Sequence, residues 1–136
     1  MAGTNSMISQ YQEQEINTMS RGELLIKLYD ELIKNLKYGA ILLNQNNSEP
    51  AKKCMTKCRD ILNYLIVILN HQYPISEQLQ SIYSFMIGQI IQANVHGQAD
   101  YLEKILPMVQ ELRDAWVQAE KTVRMQNSGK GRERSN

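Results

Sequence analysis

Residues 81–116, SIYSFMIGQIIQANVHGQADYLEKILPMVQELRDAW, decide the fold. Apolar side chains return every three or four positions on both sides of one short polar break. Ile82, Tyr83, Met86, Ile90 and Ala93 stand before it, and Leu102, Ile105, Val109, Leu112 and Trp116 after it. That period belongs to a helix with one buried face. Gly97, between the two runs, reads as a helix stop, because glycine accepts the left-handed backbone at a helix end without steric penalty. Two amphipathic helices joined by so short a turn fold back on each other.

Upstream, the third helix opens near Ser76 and its inner face begins at Leu79. The second runs from Ser48-Glu49-Pro50, with proline tolerated in the first turn, to Asn70-His71, where Tyr73-Pro74 disfavours helix. Its face is Ala51, Cys54, Cys58, Ile61, Leu65 and Ile68. The first helix opens at Ser20. Ser20 and Glu23 form a capping box, and Met19 and Leu24 occupy the staple positions around it. Leu25, Leu28, Tyr29, Leu32, Leu36, Ala40 and Leu43 make its stripe, which ends in Asn44–Asn47. The fourth helix runs from about Ala99 to about Arg124, its stripe continuing to Ala119 and Val123. Pro107 within it predicts a kink or break around Glu103–Pro107. The chain is therefore expected to be all-α: an antiparallel up-down four-helix bundle over 20–124, with an N-terminal cap segment at 1–19 and a flexible basic tail at 125–136.

A length of 136 residues fits one domain, and a net charge of +1 points to neither nucleic acid nor an anionic membrane. The tail is locally basic, with Lys121, Arg124, Lys130, Arg132 and Arg134 against Glu133. The longest apolar run, Tyr64–Leu69, is far too short to span a membrane, and the start lacks the basic and apolar blocks of a signal peptide. A cytoplasmic protein is expected. Cys54 and Cys58 share a helix face and read as buried free thiols; neither His71 nor His96 is spaced to complete a metal site with them. No Glu-x-x-His pair, phosphate loop or nucleophile with a neighbouring base is present, so the reading is a non-enzyme without cofactor.

Two helices carry more apolar surface than one core face needs. On the second, Tyr64, Ile66 and Val67 fall outside the arc centred on Leu65; on the third, Ile87, Ile91 and Val95 form a second line. Either these residues belong to a deep core, covered in part by residues 1–19, or they line a groove shared between that segment and a partner. The candidate partner-binding residues are Ile8, Tyr11, Ile16, Tyr64, Ile66, Val67, Ile87 and Ile91. A homodimer interface is the alternative use of the same surface.

The side chains also carry a resemblance. Tyr11, Ile16, Thr18 and Ser20 through Tyr29-Asp30, together with Tyr83, Phe85-Met86, Ala93-Asn94 and Leu112-Arg113-x-Ala115-Trp116, are similar to the pattern of the flagellin-specific export chaperones. Arg21 stands where proline is frequent in that family. The resemblance implies a cytoplasmic four-helix bundle that binds the disordered C-terminal segment of flagellin, prevents premature polymerisation and docks on the flagellar export gate. It also implies that residues before the first helix, here Ile8, Tyr11 and Ile16, occupy part of the client site when it is empty.

Overall fold

The computed structural model describes residues 21–135, with side chains described through Gln126. Four helices hold nearly all of these residues: α1 (Arg21–Asn44), α2 (Ser48–Val67), α3 (Ile75–His96) and α4 (Asp100–Ser135). No strand occurs among the described residues. α1 packs against α2 and α4, and α3 closes the ring against the same two helices. Short turns between sequential helices make them antiparallel neighbours, the up-down bundle that the periodicity predicts. The expected cap segment 1–19, with Ile8, Tyr11 and Ile16, and the Ser20 capping box lie outside the described residues.

Leu28, Tyr29, Leu32 and Leu36 of α1, Met86 and Ile90 of α3, and Leu102, Ile105 and Val109 of α4 fill the centre. α2 contributes Cys58, Ile61 and Leu65 as expected, and also Met55 and Leu62, which a single stripe leaves out. α2 is flanked by both α1 and α3, so its buried arc is wider than one stripe. Gly39 marks the closest approach. A Cβ there would stand 3.2 Å from Leu102 Cδ1 and 3.5 Å from Cys54 Cβ, so the missing side chain lets α1 settle against its neighbours.

The helix ends follow from local chemistry. Asn46 takes a left-handed backbone (φ 57°), and Asn47 N–H closes on Leu42 O at 2.9 Å, satisfying carbonyls that α1 leaves open. Gly97 (φ 63°) does the same for α3, with Gln98 N–H donating to Ala93 O at 3.2 Å. α2 stops at Val67, before the Asn70 expected from sequence. One tertiary and one local contact take over there: Arg21 Nη2 donates to Ile68 O at 2.9 Å, and Asn70 Oδ1 accepts from Gln72 N–H at 3.1 Å, starting the turn.

α4 overturns the break expected at Pro107. Its helix is continuous through that residue, which is exposed near the amino end, where water can serve the carbonyl that loses its partner. It also does not stop near Arg124 but continues to Ser135. Gly129 and Gly131 each cost about 1 kcal/mol there. Ala119 and Val123, assigned to the buried stripe, are exposed. Arg124 already pairs with Glu23 in the first turn of α1, so past that level α4 has outrun its partner helix.

Candidate functional site

Where α1 and α3 begin and α2 ends, the bundle leaves a cavity of about 360 Å3. Leu25, Leu65, Ile68, Leu69, Leu79 and Trp116 supply most of its apolar wall. Tyr73 in the α2–α3 turn and Ile75 at the start of α3 stand beside it, 62% and 59% exposed. These two exposed apolar side chains extend the cavity wall outward.

Polar groups set its rim and floor. Arg21 and Glu120 both line it. A side chain on Gly22 would run into the Glu120 carboxylate, so glycine lets that acid approach the amino end of α1, where the helix dipole favours negative charge. Arg124 pairs with both Glu23 and Glu120. Beneath lies a buried network: Trp116 Nε1–H donates to Tyr29 Oη at 3.1 Å, and the Tyr29 and Tyr83 hydroxyls share a hydrogen bond. Burial pushes both phenols above their ordinary pKa of 10.0, chiefly because a phenolate would lose its hydration there. On the outer face Arg113 Nε donates to Asp30 Oδ1 at 2.9 Å, tying α4 to α1. Ser76, on the cavity wall in the first turn of α3, is 2% exposed, and its Oγ has no hydrogen-bond partner.

The residues selected from sequence do not share one face. Tyr64 is half-buried on the α1 side of α2, near Arg21, with its hydroxyl enclosed and unpartnered. Ile66, two positions on, rotates about 200° to the α3 side. Val67 points outward at 77% exposure. Ile87 and Ile91 border the α2–α3 seam, Ile91 at 42% exposure above a small cleft of about 40 Å3 with Lys52, Met55, Thr56 and Arg59 of α2. That cleft lies roughly 15 Å down α2 from Ile66. Ile66, Ile87 and Ile91 thus share one seam, Tyr64 belongs to another, and Val67 to neither. Sequence reading missed the end cavity. Its signal was the run of Leu69, Tyr73 and Ile75 through a segment that punctuation marks as a turn.

Among the described residues no helix is long and apolar enough to cross a membrane, and no three His, Cys, Asp or Glu side chains gather as metal ligands. The sequence pattern of the family described as Flagellar protein FliS matches residues 4–123. The chain belongs to the FliS family. It is 28% identical to the flagellar secretion chaperone FliS of Bacillus subtilis (strain 168), over 89% of this chain and 91% of that one. The flagellar secretion chaperone FliS of Escherichia coli (strain K12) is 23% identical over 76% of this chain and 79% of its own, and that of Vibrio cholerae 25% over 78% and 79%. As a FliS protein, the chain has a chaperone role in flagellar export.

Proposed function

We propose that this FliS protein is a cytoplasmic, non-enzymatic chaperone without cofactor. It binds the disordered C-terminal segment of flagellin in an apolar groove, prevents premature polymerisation, and helps deliver the client to the flagellar type III export apparatus. One observation carries the reading: a FliS bundle leaves an apolar cavity at one end, and Ile66, Ile87 and Ile91 stand only partly covered beside the α2–α3 seam. An amphipathic helix laid along that seam would bury its apolar face against α2 and α3. The client orders as it binds, so part of the gain from burial is lost to entropy, and release at the export gate stays within reach. Residues 1–19, through Ile8, Tyr11 and Ile16, cover part of the same surface while no client is bound. A second copy of the chain is the competing occupant.

Ile66→Asp and Ile91→Asp test the groove. Each places a charge where the client lies, and neither residue is in the buried core. Each is expected to weaken binding of a flagellin C-terminal peptide by tenfold or more while the circular dichroism of the free protein stays unchanged. Normal binding by both variants would remove the seam from the site. A self-associated species that persists with peptide present would favour the dimer.

A further inference from the structure

The end cavity is apolar in area but rich in hydrogen-bond donors. Ser76 is buried with its Oγ unpartnered. Arg21 bonds Ile68 O through Nη2, and a guanidinium carries five N–H donors in all. The buried aromatic network leaves one more. Trp116 Nε1–H goes to Tyr29 Oη, and the single bond between the two hydroxyls uses one of their two protons. With Tyr29 donating, the spare proton is that of Tyr83, on the cavity wall. The acid on the rim, Glu120, is engaged by Arg124. A fitting occupant therefore brings large apolar side chains together with bare acceptors. The last turn of an amphipathic helix has both, because its final carbonyls have no partner within the helix and carry partial negative charge. The amino end of α3, with its positive dipole end, stands opposite.

Resting on the flagellin-segment reading above, we propose that the end cavity is the stop for the client helix. Apolar residues of its last turn fill the cavity, and its unpaired carbonyls accept from Ser76 Oγ–H and Arg21. This fixes polarity. α2 ends at the cavity and α3 begins there, so the client helix runs parallel to α2 and antiparallel to α3 along the seam.

The test uses the full chain and a tryptophan-free synthetic peptide spanning the C-terminal helices of a flagellin. Ser76→Ala removes a buried hydroxyl that has no partner in the free protein. It is expected to raise Tm by more than Ser84→Ala, an exposed change on the same helix, and to weaken peptide binding about five- to tenfold. Trp116 is the chain's one tryptophan and lines the cavity, so its emission reports occupancy. A quencher at the carboxyl end of the client helix should quench it; a quencher at the amino end should not. Unchanged affinity in Ser76→Ala, or quenching from the amino end, overturns the proposal. So does Trp116 emission that responds to deletion of residues 1–20 or to protein concentration but not to peptide. Absence of peptide binding to the unaltered protein would instead overturn the flagellin-segment reading itself.

Discussion

Tyr29 and Tyr83 place two phenol oxygens inside an otherwise apolar centre, where an unpaired hydroxyl is costly. Their mutual bond and the Trp116 N–H remove most of that cost. Tyr83→Phe is expected to lower unfolding free energy by about 1 kcal/mol in chemical denaturation, because the Tyr29 hydroxyl proton then has no acceptor. The same pair sets the alkaline limit. Both pKa values are raised in the folded state above the unfolded 10.0, so their contribution is fully present below pH 10 and is lost as pH rises past it. The double Tyr29→Phe/Tyr83→Phe protein should lose less stability between pH 10 and 11 than the unaltered chain, measured by denaturant midpoint. Glycines give the contrast in packing. Gly39→Val drives methyl groups into Cys54 and Leu102 and should destabilise by about 2–3 kcal/mol, whereas Gly88→Ala meets nothing within 4 Å and should stabilise by up to about 1 kcal/mol.

Helix boundaries were legible where one residue type carries the signal. Asn44–Asn47, Ser48-Glu49-Pro50 and Gly97 end or open helices where their backbone preferences say they should. The boundaries that differ depend on residues far away in sequence. Arg21 lies 47 positions from the Ile68 carbonyl it caps, and no local pattern at α2 announces it. Pro107 shows the limit of a local rule: an exposed proline in an otherwise well-packed helix lowers stability without dividing it. Pro107→Ala restores one backbone donor and should raise stability by about 1–3 kcal/mol, read from the denaturant midpoint. The far end of α4 behaves differently. From Ala119 onward its described side chains are mostly exposed, so a chain ending at Gln126 should keep its midpoint to within about 1 kcal/mol.

At the scale of the molecule, the bundle and its apolar surplus were both readable from periodicity, because each helix shows which arc it must bury. What the surplus builds was not readable. Whether Tyr64 or Ile66 faces a groove depends on which neighbour packs on which side of α2, and a single helical wheel cannot hold that information. The end cavity arises only when the ends of α1, α2 and α3 assemble against α4, and it gathers Arg21, Ser76, Leu65 and Trp116 from positions spread over 21–116. The central claim is that this end cavity and the α2–α3 seam beside it take up a flagellin segment. Titration calorimetry with a flagellin C-terminal peptide at several temperatures and two salt concentrations tests it most directly. The account predicts one-to-one binding with a clearly negative heat-capacity change and an affinity that varies little with salt. An absence of binding heat at every temperature, or an affinity that collapses as salt is added, would contradict it.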